Sequence, residues 1–470
     1  MKTDTPSQLQ KIVEIFKDIC GDKYVYTDKE VLQAYGSDQT LDFHFPFDIL
    51  VKPASPEDIS SILKVCNDYF LPITPRGGGS GVTGGALPVK GGVVLSLERL
   101  NKIIEIDNVG GYVIAESGVI TADLCEYVEY HDLYFPVFPS SGAYSFIGGN
   151  VAENAGSINS CKYGTTSNYV LNLEVVLPSG EIIWTGANVL KNATGLNLTP
   201  LFIGSEGILG VITKVVFKLL PKPRHEITIL VGFKTLEEAC DAIIDIKKST
   251  VFPSGVELIC LNAIKLTSDY LEEDSPLVLR NLEAHLLISL HEVSMIETSY
   301  ALEIMTSIIE KYTQEDILVA QTDAEKMKIN KLRLNIGNAL VSNGKNYRDV
   351  DVCVPLSILL QYIRKVESIC KEHSVNLVCF GHALDGNLHT NLVFNHGGYS
   401  SDEITIKKIL KEIYQYAISK GGVISGEHGI GMLQIDFMTL QFSPAHLALL
   451  QSIKRLFDPN RIMNPGKILN

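Results

Sequence analysis

Residues 75–85 read Pro75-Arg76-Gly77-Gly78-Gly79-Ser80-Gly81-Val82-Thr83-Gly84-Gly85, and the fold turns on what that run does. Gly79-x-Gly81-x-x-Gly84 has the spacing of a dinucleotide fingerprint. In a Rossmann unit such glycines open a long helix whose amino terminus holds the pyrophosphate. Here they lead into Ala86-Leu87-Pro88-Val89 and a β-type run from Val93 to Leu97, so the Rossmann reading fails on context. No Gly-Lys-Ser/Thr follows, which removes a Walker loop. What is left is four glycines in residues 77–81, able to turn successive backbone N–H groups toward one point, with Arg76 beside them. Such a loop suits a diphosphate.

Two further segments share this character. Residues 139–156 contain Ser145-Phe146-Ile147-Gly148-Gly149-Asn150 and Asn154-Ala155-Gly156, and residues 202–213 contain Gly204-Ser205-Glu206-Gly207-Ile208-Leu209-Gly210-Val211-Ile212. Small residues let backbone approach a large planar ligand, while Ser and Asn supply donors and acceptors. Three such loops in one domain are more than turns require.

The remaining composition excludes whole classes. With 40 Lys+Arg against 54 Asp+Glu in 470 residues the net charge is −14, the wrong sign for phosphate-dominated nucleic-acid binding. Apolar runs such as Ile203 to Val216 are interrupted well short of the ~18–20 residues of a membrane span. The amino terminus carries a helical pattern (Leu9, Ile12, Val13, Phe16) without an apolar signal core, so a cytoplasmic protein is expected, peripheral to a membrane at most. Nine cysteines form no C-x-x-C pair, against zinc ribbons, ferredoxin clusters and c-type haem.

The chain reads as α+β in two domains. Gly clusters alternate with short strands and helices over 1–220, including a helix from Ser55 to Asp68. Pro221-Lys222-Pro223 marks a linker, since prolines interrupt both ladder and helix. A second domain over 221–440 begins with strand 227–233, helix 236–248, strand 255–259, strand 284–291 and helix 297–312, which predicts an antiparallel sheet covered by helices on one face. Residues 441–470 then return to the first domain through a helix from Pro444 to Phe457.

Within the second domain, residues 376–394 show two apolar β-runs around Asp385-Gly386, a hairpin signal. With those two as the turn, Leu384 pairs with Asn387, Ala383 with Leu388, and His382 faces His389. Directly opposed residues have Cβ atoms ~4.5–5.5 Å apart, so both imidazoles could reach one ion. Ser425-Gly426-Glu427-His428-Gly429-Ile430-Gly431 offers a third, oxygen ligand in a loop whose glycines leave room around it.

PRGGGSGVTGG, FIGGNVAENAG, KYGTTSNYVLNLEVVLPSGEII, KNATGLNLTPLFIGSEGILGVIT and DPNRIMNPGKIL together resemble the FAD-linked oxidase family of the vanillyl-alcohol oxidase and p-cresol methylhydroxylase type. The resemblance runs from about residue 35 to 470 in the family's motif order, and is narrower still to its D-lactate, glycolate and D-2-hydroxyglutarate dehydrogenase branch. It implies a two-domain FAD-binding fold of the p-cresol methylhydroxylase type, with an antiparallel-sheet substrate (cap) domain. By the same resemblance Arg76, Gly77, Gly78, Gly79, Ser80 and Gly81 wrap the FAD pyrophosphate. Thr83, Gly84, Ser145, Gly148, Gly149, Asn154, Gly156, Glu206, Gly207, Gly210 and Ile212 line the rest, with Asn464 returning from the tail. Residues 76–85 hold neither His nor Cys, although Cys161 lies close to the second loop, so non-covalent FAD is expected.

The resemblance further implies His382, His389 and Glu427 as ligands of a divalent metal, zinc or manganese, leaving an open position for substrate. His428 is implied as the proton acceptor, since a free imidazole in solution titrates near ~6.5. Arg333 holds the substrate carboxylate and Asn391 lies nearby. The expected activity is oxidation of a small D-2-hydroxy acid, of D-lactate or glycolate type, to the 2-oxo acid, with hydride passing to flavin N5 and electrons to an external quinone, cytochrome or electron-transfer flavoprotein. Alternatives are D-2-hydroxyglutarate as substrate, or a non-redox transferase resembling alkyl-glycerone-phosphate synthase. A homodimer is compatible with all of these. The chain departs from the branch at Asn330 (usually Trp), Gln434 (usually Lys) and Gly337 (a hydroxyl-bearing residue), with Arg348 as a candidate second basic group.

Overall fold

The computed structural model describes residues 6–40, 43–272, 282–342, 347–394 and 403–469. The chain divides into two compact units. The first is drawn from Met1–Gly156, Thr165–Lys222 and Glu427–Asn470, the second from Ser157–Gly164 and Pro223–Gly426. Residues 427–440 therefore fold with the first unit, and 157–164 with the second.

In the first unit, the Ser55 hydroxyl accepts the Asp58 N–H at 3.1 Å and Pro56 begins helix Pro56–Asp68, an N-terminus built as capping chemistry requires. Its buried stripe of Ile59, Ile62, Leu63 and Cys66 shares one core with Ile12 and Phe16 of helix Pro6–Cys20 and with Ile49, Val51, Ile73, Val93 and Leu95. Those last residues belong to a four-stranded sheet in the order Val25–Tyr26, Ile49–Val51, Val93–Ser96, Ile73–Arg76. Ile73–Arg76 runs parallel to Val93–Ser96 and stops at Arg76, so the glycine loop springs from a strand's carboxyl end, where open sheets present ligands. A separate five-stranded antiparallel sheet runs Ile103–Asp107, Tyr112–Glu116, Val211–Lys218, Val170–Val176, Ile182–Trp184.

The second unit is built on one antiparallel sheet in the order Leu318–Ala320, His225–Phe233, Ala284–Glu292, Gly255–Cys260, Asn376–His382, Asn387–Val393, Tyr347–Arg348, with Asp351–Cys353 also paired to Asn387–Val393. Helices cover both faces, not one. Ile336 and Leu340 of helix Asp323–Ser342, with Ala263 and Ile264 of helix Leu261–Leu271, pack on Val378 and Phe380. On the opposite face the Tyr362 hydroxyl of helix Leu359–Glu372 meets Thr390 Oγ1 at 3.1 Å. The physical reason was present in the strand: 377–382 is buried throughout, the pattern of a strand covered twice rather than of one with a wet side.

The hairpin register differs from the expected one. His382 pairs with Asn387 and Phe380 with His389. Asp385-Gly386 does not form a two-residue turn; Ala383–Asp385 makes a 3-10 turn, and Gly386 closes a four-residue loop at φ 76°. Every partner thus moves by two. A shift of two preserves the face, because strand side chains alternate with period two. His382 and His389 become diagonal neighbours on one side of the sheet instead of opposed ones.

Gly386 combines left-handed backbone with contact: a Cβ there would run into the Val354 carbonyl oxygen, and the Gly386 carbonyl accepts the Val354 N–H at 2.9 Å. Gly386→Ala should cost roughly 1–3 kcal/mol and lower the apparent melting temperature by roughly 2–10 °C, read by circular dichroism. A melt matching the wild type would contradict the assigned turn.

Candidate functional site

In the first unit the glycines of the first loop do two different jobs. A Cβ on Gly78 would collide with the Tyr144 carbonyl, and one on Gly77 would stand 3.8 Å from the backbone of Gly149, so the loops at 76–81 and 144–149 pack closely. Around Gly81 and Gly149 none of the described residues comes within 4 Å of where a Cβ would stand. The loops therefore touch on one side and leave open space on another. Gly79 and Gly84 adopt φ 67° and 81°. Arg76 folds back over its own loop and lies 5.5 Å from the Tyr35 ring. Gly148 is pressed against Ser117, Gly210 against Val175, and Gly207 (φ 70°) lies against Pro75.

Several expected cofactor residues spend their side chains inside the protein. Ser145 Oγ meets Thr121 Oγ1 at 2.9 Å. Asn154 adopts φ 55° to end helix Ile147–Glu153, and its Oδ1 accepts from Ser167 N and Thr165 Oγ1 at 2.9 and 3.1 Å. Asn464 donates to the carbonyls of Gly85 and Glu206 at 2.9 and 2.7 Å. Thr83 Oγ1 donates to the His428 carbonyl at 3.1 Å, while Ile212 is simply buried. What these residues give a cofactor is shape. Meanwhile Asp38 Oδ2, Thr40 Oγ1, Ser117 Oγ and Glu153 Oε2 are buried with no hydrogen-bond partner among the described residues. Buried polar atoms are ordinarily satisfied. Open space beside glycine backbone, together with unsatisfied polar atoms in the same unit, fits a large polar cofactor such as FAD.

The loop that carries Glu427 and His428 is held from the same unit. Glu206 accepts the backbone N–H groups of both Ile430 and Gly431 at 2.7 Å. Burial pushes the Glu206 carboxyl up to about 7 despite those two bonds and the nearby Lys467. Burial likewise raises Glu153 well above the carboxylate range, and the charge of Glu206 adds to it. Gly429 sits where a Cβ would strike both acids. Lys467, which the motif reading missed, is 1 % exposed, donates to the Leu87 carbonyl at 2.5 Å and is lowered by burial to about 8.

In the second unit, His382 and His389 offer ring nitrogens within 4.8 Å of each other, with ring centroids 5.4 Å apart. Both are buried. His382 Nδ1 is hydrogen-bonded to Glu257 Oε1, and Glu257 is the residue directly opposite it on strand Gly255–Cys260. A carboxylate on one imidazole nitrogen is the usual arrangement behind a metal-binding histidine, so the donor set fits a divalent ion. Asp351 stands opposite His389, with its Oδ1 3.9 Å from the ring. Its oxygens accept from Asn387 Nδ2, Ser425 Oγ and the Gly426 N–H at 2.8–2.9 Å, which fixes the chain just before Glu427.

Arg333 lies on the buried side of its helix, three and seven residues before Ile336 and Leu340. Its Nε donates to Glu257 Oε2 at 2.5 Å, and its guanidinium stacks 4.7 Å from the Phe380 ring. Burial alone would raise the Glu257 carboxyl; Arg333 and His382 overcome it and hold the group at about 2. Asn391 lies on the same face as His389, its Nδ2 3.5 Å from the His389 carbonyl. Arg348 does not: it pairs with Leu392, so it points to the opposite face, where Tyr414 is an electrostatic neighbour. Glu257 went unread in the sequence, although a lone acid in the apolar run Gly255-Val256-Glu257-Leu258-Ile259 was a signal. Cys161 belongs to this unit; its thiol donates to the carbonyls of Pro253 and Ser254, and burial pushes it to about 12.

Comparison with known proteins adds the wider context. The family described as FAD linked oxidases, C-terminal domain, matches residues 222–468, and the FAD binding domain family matches 47–186. The glycolate oxidase subunit GlcD of Bacillus subtilis is 33% identical over 92% of this chain and 91% of its own. A D-lactate dehydrogenase of Archaeoglobus fulgidus is 33% identical over 98% of both chains. The substrate-bound crystal structure of p-cresol methylhydroxylase superposes with a TM-score of 0.83 over 100% of this chain and 98% of that one; at 20% identity this likeness speaks for the fold alone.

The raised Glu206 makes a pH signature. An acid whose folded pKa exceeds its unfolded value of ~4.3 favours the fold fully below that pH, and the contribution is lost as pH rises through about 7. The melting temperature of wild type relative to Glu206→Gln should therefore be highest near pH ~5 and fall by pH ~8. A difference that does not change with pH would contradict the assignment.

Proposed function

The chain belongs to the FAD-linked oxidase family, and from that premise we propose that it oxidises a small D-2-hydroxy acid, D-lactate or glycolate, to the 2-oxo acid. Bound FAD supplies the two-electron acceptor that the side chains themselves lack. The loops at 76–81, 144–149 and 204–212 would hold it without a covalent bond, which is supported by the absence of His and Cys from 76–85 and by the protonated Cys161 thiol. A divalent ion, zinc or manganese, held by His382, His389 and Glu427, would supply Lewis acidity toward the substrate hydroxyl.

The residues divide the remaining work. Arg333 binds the substrate carboxylate through its paired Nη groups, since the bond to Glu257 uses only Nε. Asn391 orients the substrate beside His389. His428 takes the hydroxyl proton. The reaction removes two electrons and two hydrogens, one as that proton and one from C2. Electrons then leave to a quinone, cytochrome or electron-transfer flavoprotein, in the cytoplasm or at a membrane surface. Among the described residues no helix is long and apolar enough to cross a membrane.

The observation that carries this reading is the pair of buried imidazoles on one sheet face, one of them oriented by a carboxylate. Charge bears on substrate length. A second carboxylate needs a second cation, and Arg348 is turned to the other face of the sheet. This favours a monocarboxylate over D-2-hydroxyglutarate.

Anaerobic titration of the purified holoprotein tests the proposal. D-Lactate or glycolate should bleach the flavin's visible band, while L-lactate and D-2-hydroxyglutarate should not. A flavin that none of these acids bleaches would overturn the reading. Arg333→Met should lower kcat/KM for D-lactate roughly 10²-fold, about 2.7 kcal/mol, mainly through KM; steady-state kinetics with an artificial acceptor would measure it.

A further inference from the structure

Glu257 has no assigned part in the chemistry above, yet it is 2 % exposed and touches both groups most needed there. Its Oε1 meets His382 Nδ1 and its Oε2 accepts from Arg333 Nε. An ion buried to this degree is strongly disfavoured unless its partners are well placed. Strand pairing accounts for the placement. Glu257 and His382 are directly opposed, so their side chains share a face by necessity. Arg333 arrives from helix Asp323–Ser342 and is backed by the Phe380 ring.

We infer that Glu257 is a positioning residue which orients His382 for the metal and Arg333 for the substrate carboxylate through one shared group. The inference rests on the metal reading given under the proposed function. The reasoning is one of donors and acceptors. A carboxylate accepts on both oxygens, so it can receive the Arg333 Nε–H and the His382 Nδ1–H together. Accepting from Nδ1 fixes the tautomer whose Nε2 carries a lone pair, the form a metal needs. Glutamine of the same shape has one acceptor only. Its amide N–H₂ would face a donor, either Arg333 Nε–H or His382 Nδ1–H. One partner must then turn away, or His382 must move its proton to Nε2 and lose its lone pair there.

The test compares Glu257→Gln with Arg333→Lys in the FAD-loaded protein. Mn²⁺ is titrated and followed by the spin resonance of the free ion, Zn²⁺ by chelator competition, and KM for D-lactate is measured alongside. Flavin content and the melting curve report folding. Glu257→Gln should weaken metal binding by about 10- to 100-fold and raise KM together. Arg333→Lys should raise KM while leaving metal affinity within about threefold, because the carboxylate keeps a cationic partner and its bond to His382. Wild-type metal affinity in Glu257→Gln overturns the inference. If Glu257→Gln does not fold, Glu257→Asp, which keeps the charge and withdraws it by one methylene, must show both losses in smaller measure; wild-type values in it are equally fatal. A wild-type protein that takes up neither ion, or binds it equally well as His382→Ala, instead removes the metal reading itself and with it this role.

Discussion

A carboxylate closed off from water survives as an ion only where cations or donors meet both its oxygens. Glu257 meets that condition, with a guanidinium on one oxygen and an imidazole on the other, and it ties Arg333 to the sheet face that carries His382 and His389. It lies in the strand beside the hairpin, so its position is set by the backbone ladder and not by side-chain flexibility. Phe380 completes the arrangement, with Arg333 on its face and the His389 ring 5.1 Å away. Five residues from three strands and one helix are thereby held in a fixed relation.

Two buried acids of the first unit are treated in the opposite way. Glu206 and Glu153 have each other as neighbours and receive only backbone donors or none, so burial prevails and both shift toward the neutral form. The same side-chain type is therefore kept charged in one unit and held near neutrality in the other by surroundings alone. Lys467 tempers the second case, with its ammonium pulled down by burial and held up by Glu206, Asp38 and Glu153.

Local rules carried the sequence reading a long way. Helix Leu236–Lys248 is bounded as expected because Thr235 and Glu238 form a capping box, and Pro444–Phe457 because Ser443 caps it. The glycine loops were legible because only glycine tolerates their backbone approach. The FAD-linked fold followed from motif order. Nonlocal features were harder. The hairpin register slipped by two because Asp385-Gly386 closes a longer loop, yet the histidine pair survived, since alternation protects even shifts. Arg348 is a candidate second cation by residue type alone, and its direction depends on pairing with Leu392, which no neighbouring residue reveals. Glu257 was overlooked because its partners lie 76 and 125 residues along the chain.

The threading of the first unit has a consequence for synthesis. Asn464 and Lys467 bond to the carbonyls of Gly85, Glu206 and Leu87, residues made several hundred positions earlier. As the ribosome delivers the chain from its amino end, those carbonyls stay unpartnered by the tail until the whole of Pro223–Gly426 has been made. The nascent protein must therefore carry an unfinished first unit through most of translation, a window in which holdase chaperones would have their greatest purchase.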